Sequence, residues 1–189
     1  MQKAIKISTL ITGIIWLSYL LDVILPVDFC HWGILPRDIS GLKGIVFAPF
    51  IHGGFGHILS NTPPIFILTL VLFKFYEQDA VKVWAGSALA GGLLVWILGR
   101  SSYHVGVSGV IFSLIGFLIA TGIFKFNLKT LLIALAIFIF YGGTVIFGIL
   151  PVNPYVSWEG HLFGLIAGVG ISYYLYKLRH NEGSGKELN

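Results

Sequence analysis

The sequence predicts an all-α polytopic membrane protein with six transmembrane helices, and three observations carry that prediction. Of its 189 residues, 56% are hydrophobic and only 11% are charged, where soluble domains run at about a quarter charged. The apolar residues gather into six runs, 4–25, 58–76, 80–99, 109–124, 130–150 and 160–178, each close to the ~20 residues that cross a bilayer core. None alternates as a barrel strand would. In lipid every backbone N–H and C=O must be satisfied within its own segment, which leaves helices.

Taken in order, the first run follows Lys3 and Lys6 as a signal peptide would. It is too long for the apolar core of one and lacks a small-residue cleavage site, so it reads as a retained span. The connection 26–56 is rich in Phe, Ile, Trp and Gly and holds Cys30, His31 and His52; so apolar a segment is expected to lie partly in the outer leaflet. The connections at 77–79 and 125–129 are short and turn the chain. The stretch 142–160, with Gly142, Gly143, Pro151 and Pro154, is expected to move as a lid. Residues 1–180 form one six-helix membrane domain on this reading, followed by an unstructured polar tail at 181–189.

The charges orient the spans. With the N-terminus inside, the cytoplasmic side collects Lys3, Lys6, Lys74, Lys82, Lys125, Lys129, Lys177, Arg179 and Lys186, and the outside only Arg37, Lys43 and Arg100. Nine against three places both termini in the cytoplasm. The basic residues sit singly at the ends of apolar runs, which is the pattern of membrane topology and not of nucleic-acid binding. One cysteine excludes an internal disulfide and a cysteine-rich metal site. No metal and no cofactor is expected; the lipid bilayer is the expected surrounding.

Ionisable groups at membrane depth are costly and mark function or a buried hydrogen bond. Spans two, four and six each open with such groups: His52, His57 and Asn61; His104, Gly106, Ser108 and Gly109; and Glu159 and His161. All three spans run from outside to inside, so their openings share one depth below the outer surface. A serine hydroxyl becomes a nucleophile when a positioned base takes its proton, and Ser108 with His161 fits those roles. His57, the Asn61 amide and the Ser108 N–H at a helix start supply oxyanion donors, with Gly106 a further candidate. Gly164 and Gly168 lie at i+3 and i+7 from His161 and would let span four, with Gly109 and Phe112, approach closely. No acid completes a triad: Glu159 points to another helical face from His161, and Asp22 reads as interfacial. A Ser-His dyad performing acyl transfer is the chemistry this set suits. H-E-x-x-H and paired intramembrane aspartates are both absent.

The segment from His52 through His57 to Asn61 resembles the H-x-x-x-x-H-x-x-x-N pattern of the rhomboid intramembrane serine proteases. Gly106-Val107-Ser108-Gly109 resembles the family's G-x-S-G, and the segment from His161 through Gly164 to Gly168 its H-x-x-G-x-x-x-G. The likeness covers residues 43 to 178. It implies a six-helix rhomboid-like core, Ser108 as nucleophile, His161 as base, and His57 with Asn61 around the oxyanion. The implied substrates are single-span membrane proteins cut near the outer boundary of a bacterial cytoplasmic membrane. Two positions depart from the pattern. Lys43 and Gly44 stand where the family often carries Trp-Arg, and Phe112 stands where it often has a tyrosine stacked on the histidine. The rival readings are a rhomboid-like pseudoprotease that binds client helices and a transporter using His52, His57, His104 and His161 as ligands.

Overall fold

The computed structural model describes residues 1–153 and 156–186, of which 182–186 by their backbone alone. Among the described residues there are seven α-helices: α1 (Gln2–Ile24), the single-turn α2 (Gly44–Phe47), α3 (Phe55–Phe75), α4 (Glu77–Leu98), α5 (Ser108–Lys125), α6 (Leu128–Gly148) and α7 (Trp158–Lys186). Among the described residues there is no strand, only an isolated bridge between Ile34 and His104. Five helices, α1 and α3 to α6, are long and apolar enough to cross a membrane. The expected sixth span falls on α7, which is not one of the five. Its glycines, its tyrosines at 173, 174 and 176, and its opening Glu159 and His161 dilute the apolar content.

Two expectations change. Gly142 and Gly143 lie inside α6, which runs to Gly148; in so apolar a stretch the helix is what satisfies the backbone. The non-helical link to α7 is therefore shorter than the lid expected over 142–160, and Pro154 lies outside the described residues. At the other end α7 continues to Lys186, so the expected unstructured tail is helical at least that far, and 187–189 lie outside the described residues.

The centre of the fold is α5, twelve of whose 18 residues are buried. Helices α3, α4, α6 and α7 pack around it, α7 most intimately, and α1 lies against α3. Large apolar side chains cover the outer faces, such as Leu132, Leu135, Phe138, Ile139 and Phe140 of α6, as a lipid-facing surface requires. Three hydroxyl contacts link side chains inside the bundle: Ser113 donates to Ser87 at 2.8 Å, Ser87 donates to the Val83 carbonyl at 2.7 Å, and Thr121 pairs with Ser172 at 2.7 Å.

Backbone meets backbone where α5 and α7 touch. A β-carbon on Gly164 would collide with the Gly109 carbonyl, one on Gly168 with the Ser113 carbonyl, and one on Gly116 would lie 2.6 Å from the Leu165 carbonyl. Between membrane helices no hydrophobic force draws the pair together, so contact depends on small residues that let dispersion act at short range. The glycine spacing seen in the sequence is thus a packing face.

The long connection before α3 is folded, not extended. Three 3₁₀ turns, Phe29–Trp32, Ile39–Lys43 and Ala48–Phe50, alternate with α2, and the Asp28 and Asp38 carboxylates cap the first two by accepting from the N–H of Cys30 and Ser40. Although Lys43 and Gly44 replace Trp-Arg, an arginine and a tryptophan still anchor this segment, from other positions. The Arg37 guanidinium donates to the carbonyls of Gly99 (2.7 Å) and Ile97 (3.3 Å), and the Trp96 indole N–H donates to the Asp38 carbonyl at 2.8 Å. The Arg37 N–H in turn donates to the Trp96 carbonyl at 2.9 Å, so loop and helix end hold each other reciprocally.

A side chain forced between α5 and α7 is expected to destabilise the bundle. Gly168→Val should lower thermal stability in detergent by about 1–3 kcal/mol or more. Gly170→Ala, two residues on, has open space around its β-carbon and should leave stability unchanged or slightly raised. Equal melting temperatures for the two variants would contradict the packing described.

Candidate active site

Ser108 is the first residue of α5, so its backbone N–H has no partner within the helix and is available to a ligand. The turn delivering it is set by Gly106, whose φ of +109° suits glycine. A β-carbon there would lie 2.7 Å from the His57 ring, so glycine is also required for the two to touch. The Gly106 N–H donates to the Ala48 carbonyl at 2.9 Å, which removes it from the candidate oxyanion donors; its contribution is conformational. The Val107 N–H is likewise engaged, by His52 Nε2 at 3.4 Å. Of this turn's N–H groups through Ser108, that of Ser108 is the one left facing the site.

Ser108 and His161 line one cleft of about 790 Å³ together with His57, Asn61, Tyr103 and Ser157. The His161 ring stacks on Phe112, with centroids 4.1 Å apart and planes 4° from parallel. Phe112 lies one turn beyond Ser108 on α5, so the stack fixes the imidazole beside the helix that carries the serine. His161 Nδ1 lies 2.8 Å from the Gly148 carbonyl at the end of α6. A carbonyl only accepts, so Nδ1 carries the proton and Nε2 holds the free lone pair a general base needs. No hydrogen bond joins His161 Nε2 to Ser108 Oγ in this conformation; such contacts are often loose before substrate binds.

Asn61 is buried, 8% exposed, and its amide nitrogen has no hydrogen-bond partner among the described residues. An unpaired buried donor is costly unless something accepts from it, and this one lies beside Gly106 and His57. His52 stands behind His57, ring centroids 4.9 Å apart. Burial, with His57 beside it, pushes the His52 imidazole down to about 3, so it is neutral and braces the Val107 N–H. A second cavity of about 40 Å³ opens behind Ser108 near Ala88, Gly91, His104 and Ser157, which is room enough for water.

The start of α7 is held by groups whose roles single residues did not reveal. Ser157 Oγ accepts from the Gly160 N–H at 3.1 Å, an N-cap, and lies 2.6 Å from His104 Nδ1. His104 Nε2 lies 3.0 Å from the Arg100 carbonyl, so Nε2 carries the proton and the Ser157 hydroxyl donates to Nδ1. Burial holds this imidazole below its usual value, in keeping with a neutral ring. Glu159, 2% exposed, faces the Arg100 guanidinium at 3.6 Å, and Arg100 also donates to the Val156 carbonyl at 2.8 Å. Glu159 therefore serves α7's anchorage, and no hydrogen bond joins it to His161. The four imidazoles at 52, 57, 104 and 161 do not converge on a common point: three of them have separate backbone or hydroxyl partners. Asp22 accepts from the Phe29 N–H at 2.8 Å and belongs to the first connection.

The Rhomboid domain family model matches residues 40–178. The Mycobacterium tuberculosis "Uncharacterized protein Rv1337" is 34% identical over 156 residues, covering 76% of this chain and 63% of that protein. The Mycobacterium leprae "Uncharacterized protein ML1171" is 33% identical over 172 residues, covering 86% of this chain and 68% of that protein. A Bacillus subtilis protein named "Putative rhomboid protease YdcA" is 29% identical over 133 residues, covering 65% and 62%. The chain thus spans just under two thirds of the length of the first of these.

Replacing Ser157 by Ala removes both the cap on Gly160 and the donor to His104. Thermal unfolding should show a loss of about 0.5–2 kcal/mol, and Ser157→Thr should recover most of it. An Ala variant as stable as the parent would mean that the α7 start is held by Arg100 and Glu159 alone.

Proposed function

As this chain belongs to the rhomboid family, we propose that it is an intramembrane serine endopeptidase that cuts single-span membrane proteins near their outer membrane boundary. The observation that carries this reading is the His161 arrangement. Its Nδ1 proton is held by Gly148, its ring is clamped by Phe112, and its free Nε2 opens on the cleft that Ser108 lines. Five apolar helices and the family support an integral membrane protein. We take α7 as the sixth span, both termini as cytoplasmic, the membrane as a bacterial inner membrane, and residues 1–180 as a single domain.

On this reading the Ser108 hydroxyl attacks the scissile carbonyl while His161 Nε2 takes its proton. The carbonyl oxygen becomes an oxyanion, held by the Ser108 N–H and the unpaired Asn61 amide, with His57 beside them. When the tetrahedral species collapses, the protonated His161 passes its proton to the leaving amine. Water then repeats the sequence on the acyl-enzyme, and the small cavity behind Ser108 gives it a reservoir at a depth where water is scarce. A neutral carbonyl in place of a carboxylate behind the base keeps charge out of the bilayer, where burying it is expensive.

Ser108→Ala and His161→Ala should each abolish cleavage of a model single-span substrate in proteoliposomes, and the double variant should cost little more, because nucleophile and base act as a unit. Labelling by a serine-reactive fluorophosphonate should disappear with Ser108. Asn61→Ala should retain KM and lose about 10²–10³-fold in kcat. Full cleavage by Ser108→Ala would sink the reading.

The orientation has its own test. In a Cys30→Ser background, a cysteine at Val152, which is 75% exposed, should react with an impermeant thiol reagent added outside intact cells. One at Phe126, 78% exposed in the α5–α6 turn, should react only after the cells are opened. The reverse pattern would invert the topology.

A further inference from the structure

At the end of the bundle opposite Ser108, the α3–α4 turn, the end of α5 and α7 enclose a second polar site, with the start of α6 beside it. A cavity of about 300 Å³ lies there, with Lys74, Tyr76, Glu77, Asp79, Lys125 and Arg179 among its walls. Its two carboxylates already have partners. Asp79, 8% exposed, is ion-paired with Arg179, and Glu77 with Lys3 at 2.6 Å. The lysines are arranged differently. Lys74 lies 4.8 Å and Lys129 5.2 Å from the centroid of the Phe75 ring, and Lys125 lies 5.6 Å from that of Tyr76. No salt bridge joins any of the three to a carboxylate.

An ammonium over a ring is held by the ring's quadrupole, which fixes its position while leaving N–H donors for another acceptor. Lys74 and Lys125, from the ends of α3 and α5, line the cavity, Lys129 at the start of α6 lies over the Phe75 ring that forms part of its wall, and Arg179 adds a fourth cation whose charge Asp79 balances. The cluster holds five cations, counting Lys3, against two carboxylates. So uncompensated a group, at the end of apolar helices where headgroups lie, has the chemistry of an anion site.

We propose that this cavity binds a phosphate ester, the phosphodiester of an anionic lipid headgroup or a soluble phosphate of the same chemistry, through Lys74, Lys125 and Lys129. Basic pockets between transmembrane helices are a recurrent means of holding such headgroups, each lysine near the surface contributing about fivefold in affinity. This inference does not depend on the protease reading and concerns the opposite end of the molecule.

The test uses the full chain in nanodiscs of phosphatidylcholine containing a minor fraction of phosphatidylglycerol, with the co-retained lipid read by native mass spectrometry after gentle release. The parent protein should retain phosphatidylglycerol in preference to phosphatidylcholine. Lys74→Gln, Lys125→Gln and Lys129→Gln should each weaken that preference by about fivefold, while Lys43→Gln, at the far end, should not. All leave the Asp79–Arg179 pair intact, and circular dichroism confirms the fold. A second arm adds sn-glycerol 3-phosphate to lipid-free protein in detergent. Binding that the same variants abolish assigns a soluble phosphate, and its absence beside lipid retention assigns the headgroup. Equal retention of both lipids with no binding of glycerol phosphate would overturn the proposal, as would a preference that survives all three substitutions.

Discussion

The arrangement of the whole site around Ser108 and His161 depends on how closely α5 and α7 approach. Ser108 opens one helix and His161 lies in the first turn of the other, so the distance between helix axes sets the distance between the proposed nucleophile and base. At this contact Gly164 faces the Gly109 carbonyl and Gly168 the Ser113 carbonyl, with no room for a β-carbon at either. The bilayer supplies no hydrophobic drive to close such a gap. Removing side chains from the contact is what permits it, and shape complementarity holds it. An error of about 1 Å between reacting groups can cost a hundredfold in rate, so on the proposed reading the glycines would matter to the chemistry without touching a substrate.

Three of the imidazoles around the site are partnered by neighbours that introduce no net charge. His52 accepts from a backbone N–H, His104 bridges a hydroxyl and a carbonyl, and His161 donates to a carbonyl. The one buried acid nearby, Glu159, has Arg100 as its counterion. Asn61 differs in that its buried amide nitrogen, a donor, is unpaired, whereas His52 and Glu159 each keep one partnered atom beside an unpaired one. In a low-dielectric setting an unsatisfied donor is costly, and its position beside Gly106 and His57 is where a developing oxyanion would repay that cost.

Much of this was legible in the sequence. Apolar runs revealed the helices, and the polar openings of three of them named Ser108, His161, His57 and Asn61, which the fold brings to one cleft. Four features were not legible, for physical reasons. The acceptor that sets the His161 tautomer is the Gly148 backbone carbonyl, and a carbonyl leaves no mark in residue identity. Gly106 looked like a donor because its N–H adjoins the site, but the neighbouring Ala48 carbonyl takes it. The role of His104 was hidden because its partners lie on a distant segment, Ser157, and on a backbone atom. Arg37 and Trp96 anchor the first connection from positions 59 residues apart that no linear motif joins.

Phe112 and Gly148 explain each other. A β-carbon on Gly148 would collide with Cζ of the Phe112 ring and would come within 3.2 Å of His161 Nδ1. The end of α6 is therefore seated against the tip of this phenyl ring, in the space a phenolic hydroxyl on Cζ would need. With phenylalanine there, the α6 backbone can come close enough for its carbonyl to accept the Nδ1 proton. Stacking requires only the ring face, which phenylalanine retains. The glycine at 148 is thus a condition of the contact that orients His161: with no β-carbon there, a backbone carbonyl takes the position beside the imidazole that an aspartate holds in soluble triads.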